Sequence, residues 1–347
     1  MPPGNKDDLI SLVMKSAILT LLIFAVACAE FSPSVWGEFR YDSNICSLSD
    51  GEIDEFLSGG SGFLQKTVDD GIFRAGFSAD LTAKRNKTKF GAGFSVRGAK
   101  YIKNSPKDYI SGSGYIFARR GGLKFEISFG WTPRYTTRSY YDPETDAPQW
   151  CSYSSLWGAT KVSVRIVPYL YASVRYKRSG YLYNDYFPEY DSQRDEIDIS
   201  VSRYGKVDFS LGYRFTRSDA RGYDTAGETK ESSDEGDISY EQDLGYAGID
   251  WDFAVFSRRA RGFLDLKLAH RVYTSQKNYW VDPLHLGREE FVFTGQAGAK
   301  LFAAENVWIK PFVRFIMRRA ESEYNPDIPQ LRNYNRWIFG IGMGRDF

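Results

Sequence analysis

Histidine and cysteine are scarce in this chain: two and three respectively among 347 residues. No His/Cys cluster stands at metal-ligand spacing, and neither a phosphate loop nor a dinucleotide fingerprint occurs. No metal and no cofactor is therefore expected. Acid–base chemistry would have to rest on His285 with Asp282 nearby, because His270 falls on the apolar side of its strand. One loop histidine without a positioned proton partner is thin support for an enzyme. Charge of one sign is also missing: 45 Lys and Arg face 44 Asp and Glu, which gives no basic surface for nucleic acid. No Pro- or Gly-rich linker divides the chain, so one domain is expected.

Long apolar runs are limited to one, residues 17–27, shorter than the roughly 20 residues a spanning helix needs. Lys15 precedes it and Ala27-Cys28-Ala29 follows, so residues 1–29 read as a secretory signal peptide cleaved before Glu30. Acylation of Cys28 is the alternative. Export leaves Cys46 and Cys151, both in expected loops, where a disulfide or two free thiols are equally open.

What the chain has in quantity is aromatic side chains, 24 Tyr and 25 Phe, and a hydrophobic period of two. Segments such as 73–81, 123–131, 207–215 and 337–343 alternate apolar with polar, so each offers one apolar and one wet face. Fourteen strands are expected near 34–43, 71–83, 88–101, 108–119, 122–134, 154–166, 169–182, 196–204, 207–217, 244–255, 262–273, 290–302, 307–319 and 335–347. Short turns near 84–88, 119–122, 167–168, 204–206, 256–261 and 303–306 alternate with long polar loops near 43–71, 134–153, 183–195, 218–243, 274–289 and 320–335, and a shorter one at 101–108. The strand at 108–119 is ambiguous, since Ile110 and Ile116 compete with Tyr109, Tyr115 and Phe117 for the apolar face.

A soluble sandwich also has hairpins at this spacing. It would have to bury the charges of the second face, however, and long loops at every second connection are not its habit. The fold class expected is all-β: a single transmembrane antiparallel barrel of about 14 strands spanning residues 30–347. Its closure leaves no strand edge unpaired in lipid.

The inward face then carries Arg74, Arg97, Lys124, Glu126, Lys161, Arg165, Arg175, Asp198, Arg214, Asp250, Lys267, Lys300, Lys310, Arg314 and Arg336 as candidate pore-lining residues. Across all strands the inward cations outnumber the carboxylates by about two to one, and Lys and Arg rings favour anions. The loops lean the other way, with nine carboxylates against Arg221 and Lys230 between Asp219 and Asp243. Their spacing matches no defined calcium loop, so a solvated surface is expected. Ile53, Phe56, Leu57, Phe63 and Leu64 form an apolar cluster in the first loop, either a short helix constricting the mouth or loop-on-loop packing. Tyr181, Tyr183, Tyr186, Phe187 and Tyr190 read as an interface girdle.

In the last strand Trp337, Phe339, Ile341, Met343 and terminal Phe347 share one face. This resembles the signal that the barrel assembly machinery reads in Gram-negative outer-membrane proteins, and the whole-chain rhythm resembles outer-membrane porins in general. The resemblance implies outer-membrane lipid and that machinery as partners, periplasmic turns and extracellular loops. Trimeric porins have sixteen or more strands, so a monomer is favoured. Fourteen-stranded fatty-acid transporters carry an N-terminal plug, for which Glu30 leaves no room before the first strand. The function expected is passive diffusion of small hydrophilic solutes with mild anion preference. A non-conducting adhesin or scaffold is the alternative, and an outer-membrane enzyme has least support.

Overall fold

Strand alternation closes into a ring in the computed structural model, which describes residues 30–142 and 145–347. The expected signal peptide and Cys28 lie outside the described residues. The strands are β1 (Glu30–Asp42), β2 (Asp70–Arg85), β3 (Thr88–Tyr101), β4 (Tyr109–Arg120), β5 (Leu123–Asp142), β6 (Ala147–Val167), β7 (Leu170–Tyr183), β8 (Ser192–Arg203), β9 (Val207–Ala220), β10 (Tyr240–Val255), β11 (Arg258–Tyr273), β12 (Arg288–Ala304), β13 (Val307–Ser322) and β14 (Tyr334–Asp346). Each pairs antiparallel with its chain neighbours, and β1 closes the barrel on β14 through pairs from Ser34↔Asp346 to Asp42↔Ile338. Every backbone donor and acceptor of the wall can thus be met inside the sheet, which hydrocarbon demands.

One parity of most strands holds large apolar side chains left exposed: Phe73 and Phe77 on β2, Phe125, Ile127 and Phe129 on β5, Ile197 and Ile199 on β8, Leu266 and Leu268 on β11. A continuous exposed apolar belt on a closed barrel is a lipid surface, and the barrel is a membrane-spanning one. On β1 the belt runs from Phe31 to Tyr41. Ten residues at about 3.3 Å and a tilt of about 40° give roughly 25 Å of height, the thickness of such a band. Its long-loop edge is marked by outward tyrosines whose hydroxyls donate to aspartates: Tyr41 to Asp69 at 2.9 Å, Tyr176 to Asp195 at 2.6 Å, and likewise Tyr141 to Asp146 and Tyr213 to Asp243. An aromatic ring in the apolar layer with its hydroxyl at the wet boundary is what such an interface favours.

The ambiguity of β4 resolves with Ile110 and Ile116 outward. Tyr115 points inward and donates to Asp80 Oδ1 of β2 at 2.6 Å, reaching across β3. Gly93 makes this possible, since a Cβ there would sit 2.2 Å from Asp80 and 2.6 Å from the Tyr115 ring. Gly212 does the same under Tyr246, whose hydroxyl donates to Asp198 at 2.9 Å.

The segment 134–153, read from sequence as a loop, is instead mostly wall. β5 and β6 continue to Asp142 and Ala147, with irregularities between Thr132 and Tyr135 and between Thr136 and Arg138. An extra residue at a bulge turns the alternation over, so a strict period-two reading loses phase there. The first bulge swings Tyr135 inward opposite Tyr153, and the second brings Arg138 opposite Cys151.

Candidate functional site

The long-loop end of the barrel is covered by its own loops. The β1–β2 loop forms helix α1 (Asp50–Leu57), started by a capping box in which Ser49 and Glu52 satisfy each other's backbone N–H. The loop forms the short helix, and the helix packs on neighbouring loop and wall residues. Ile53 and Phe63 pack on a buried cluster of Ile45, Cys46, Leu48, Ile72, Ala99 and Tyr101, while Leu57 stays exposed. Glu52 then reaches β5, accepting from Arg138 Nη2 at 2.7 Å and Nη1 at 3.1 Å, with Arg332 3.9 Å away. Arg332 ends a second short helix, α2 (Ile328–Arg332), in the β13–β14 loop, where its carbonyl accepts from Arg318 Nε at 2.6 Å. Further loops join: Asn325 donates to Pro283 O, Ser322 to Leu286 O, and Lys277 to the carbonyls of Gly222 and Ser233.

Beneath this cap is a chamber of about 430 Å³. Eight cationic side chains line it: Lys107, Arg138, Arg194, Arg271, Arg288, Arg318, Arg332 and Arg336. Six tyrosines accompany them, and among the described residues no carboxylate reaches the lining. The acids sit behind the cations. Asp42 accepts from Arg336 Nε at 2.8 Å, Glu52 from Arg138, and Glu290 lies 2.8 Å from Arg288, 3.5 Å from Arg271 and 3.8 Å from Arg318. The Glu290 contacts are not aligned as hydrogen bonds, so proximity of charge rather than direction holds them. Among the described residues, Asp42, Glu52 and Glu290 stand directly behind the eight cations and Asp282 behind His285, which leaves the lining net positive.

The shortfall is visible at single atoms. Arg194 has a tyrosine partner, Tyr181, at 3.2 Å, and lies over the rings of Tyr181 and Tyr240. The Nε–H groups of Arg194, Arg288 and Arg332 are buried without an acceptor. A buried donor left unmade costs about 1–3 kcal/mol. Lys107, by contrast, is satisfied by the carbonyls of Thr136 and Thr137.

The loop groups respond to this setting. Burial would raise the Glu52 carboxyl, but Arg138 and Arg332 hold it below its usual range. Burial also lowers the Arg332 guanidinium, with Arg288 and Arg138 adding like charge. His285 is held below the usual histidine range by burial, against the pull of Asp282, which it meets at Nδ1–Oδ1 2.7 Å. Ser275 Oγ donates to Asp282 at 2.6 Å, on the carboxylate rather than the imidazole. These three residues thus form no nucleophile–base pair; they fasten the β11–β12 loop, where Asp282 also accepts from Asp237 N at 3.0 Å.

The fifteen candidate pore-lining residues all fall on the inward parity of their strands, as register pairs such as Lys124↔Ser163, Arg175↔Asp198 and Lys267↔Thr294 require. Only Arg336 among them belongs to the chamber. Arg214 pairs with Asp198 at 3.0 Å, Arg74 with Glu38 at 3.2 Å and Lys124 with Glu126 at 2.6 Å. Others rest on neutral partners: Arg97 on Ser111, Arg314 on Gln296, Arg175 over Trp157 and Lys310 over Phe263. Lys107, Arg138, Arg194, Arg288 and Arg332 were absent from that set because all five lie in stretches read as polar loops.

The bond considered between Cys46 and Cys151 is not formed; both are free, buried thiols. Each lines the chamber, Cys46 from the cluster under α1 and Cys151 from β6 opposite Arg138. The tyrosine girdle is corrected as well: Tyr183 and Tyr190 line the chamber, Phe187 is buried, and Tyr186 alone of the five is fully exposed. On the opposite parity of β14, Trp337, Phe339, Ile341 and Met343 face outward, and Phe347 docks through its N–H on Pro33 O at 2.9 Å.

No family model and no curated protein matches the sequence. Among solved structures, the anion-selective porin from Comamonas acidovorans is similar over 92% of this chain and 99% of its own, at 10% identity and a TM-score of 0.43. The outer membrane channel DcaP of Acinetobacter baumannii is similar over 92% and 98%, at 12% identity and 0.47. The outer membrane protein opdK from Pseudomonas aeruginosa is similar over 92% and 99%, at 8% identity and 0.39.

Proposed function

We propose that this protein is an outer-membrane pore through which small hydrophilic solutes diffuse passively, with a preference for anions. The single observation that carries the reading is the chamber lining, eight cations and no carboxylate, set in a barrel whose outer belt is apolar. A cationic constriction raises the local concentration of anions and repels cations. The remaining candidate pore-lining residues, from Arg74 to Lys310, continue this bias towards the other end. Residues 1–29 act as the export signal, the short turns face the periplasm, and the long loops face outwards. The outward aromatic face from Trp337 to Phe347 serves as the assembly signal, and the barrel works as a monomer.

Refolded protein in planar bilayers tests this. Discrete conductance steps with a zero-current potential of the anion-selective sign in a tenfold KCl gradient are expected; clear cation selectivity would sink it. A second reading, a non-conducting surface scaffold, is favoured by one feature, the loops fastened to one another across the mouth. A correctly folded barrel that stays electrically silent would select that reading.

A further inference from the structure

The chamber cations are arranged for more than a general bias. Arg332 and Arg288 line the chamber beside Arg138, Arg332 and Arg138 meeting at the one carboxylate of Glu52, and Arg194 and Arg271 share the Tyr240 ring on the wall. Guanidiniums stay protonated at any working pH, so such crowding calls for a counter-anion. Asp42 accepts from two nitrogens of Arg336 and Glu52 from two of Arg138, while Glu290 lies 2.8 Å from Arg288, whose Nη1 also donates to Leu284 O. Meanwhile Arg194, Arg288 and Arg332 each keep a buried Nε–H with no acceptor. Arg288 is itself only 4% exposed. The Nε–Nη edge of a guanidinium is a two-pronged donor that matches two oxygens of one oxyanion. Chloride has no such pair of acceptors.

We infer that the chamber is a saturable binding site for a small multivalent oxyanion, held between Arg332 of the cap side and Arg194 of the wall, with Arg288 adding positive charge. The inference rests on the proposed pore for its electrical readout only. Transport would then be selective and self-limiting: the oxyanion dwells in the chamber and slows chloride behind it, and its own flux levels off with concentration.

The test uses the refolded barrel in 0.1 M KCl at pH 7.5, with inorganic phosphate as the probe and chloride as the reference ion. Phosphate is expected to reduce the chloride current saturably, and isothermal titration calorimetry on the detergent-solubilised barrel to give a matching one-site isotherm. R194Q and R332Q, each first shown to fold by heat-modifiable mobility, are expected to weaken binding at least tenfold. R194K keeps the charge but loses the two-pronged edge, and a severalfold weakening is expected there. A chloride-selective pore that phosphate neither blocks nor heats overturns the inference and leaves the pore standing. A silent barrel that binds phosphate does the reverse. Wild-type affinity in the folded variants would overturn the assignment to these guanidiniums, and the wild-type titration alone decides if no variant folds.

Discussion

The two halves of the barrel interior hold similar residues to different effect. Near the short turns the charges are partly exposed and loosely matched: Lys124 with Glu126, Arg261 with Asp208 and Asp250, Lys300 with Asp346 at 3.6 Å. A second cavity there, about 450 Å³, holds Arg119, Lys124 and Lys161 among serines and tyrosines. Under the cap, carboxylates are buried behind a closed rank of arginines. Water screens the first set more than the second, so equal formal charges give a mild bias at one end and a stronger field at the other. On the proposed function, selectivity is then a property of the capped half, and the other half is a vestibule.

The sharpest way to break that contrast is to remove one acid from each half. Asp42 is 1% exposed and is the carboxylate on which Arg336 closes. Asp42→Asn is expected to cost about 3–5 kcal/mol, since it strands a buried guanidinium. Glu126→Gln, at a part-exposed pair, is expected to cost less than about 1 kcal/mol. Urea unfolding midpoints of the refolded barrels measure both, and equal losses would erase the distinction.

Charge reversal is the next test. R194E combined with R332E is expected to carry the zero-current potential in a KCl gradient through zero to the cationic side. K124E combined with K161E should reduce it without a change of sign. A larger shift from the second pair would move the selectivity to the vestibule.

A smaller effect follows from pH, read loop by loop. Glu189, in the β7–β8 loop, is raised to about 8 by burial, with Glu235, Asp224 and Asp142 adding to the rise. Its contribution to that loop's stability is complete below the unfolded carboxyl value and is lost as pH rises through about 8. His285 is depressed, so its contribution is present above about 6.5, the ordinary histidine value, and is lost as pH falls below it. Limited proteolysis should therefore cut residues 184–191 faster in alkali and residues 274–287 faster in acid. A shared pH trend at both sites would show that the cap opens as one unit. The smallest effect expected is chemical: non-reducing peptide mapping of the native barrel should recover Cys46 and Cys151 as two thiols, since both are buried and unbonded.

How much of this was legible follows from the range of each interaction. The alternation that makes 123–131 or 207–215 a strand is written in neighbouring residues, and so is the parity that turns Lys124 or Arg214 inward. The rhythm of short and long connections is equally local. The chamber is not. Arg138 lies beyond two bulges in a stretch with no clear alternation, Arg194 and Arg288 lie where strands run past the end of their apolar pattern, and Arg332 arrives on a loop helix anchored by Arg318. Tyr183 and Tyr190 looked like a girdle because an aromatic cluster at a strand end is the same string of letters whichever way it faces.

By itself, then, the sequence determined a closed fourteen-stranded wall and its lipid face, because strand periodicity and hydrophobic burial act between close neighbours. Only the tertiary structure decided where the charge concentrates. Eight cations from the β3–β4 loop, the β13–β14 loop and the walls between share one cavity only after the barrel closes and α1 brings Glu52 to Arg138. Electrostatic strength is set by that proximity and by the exclusion of water, and neither has a linear signature.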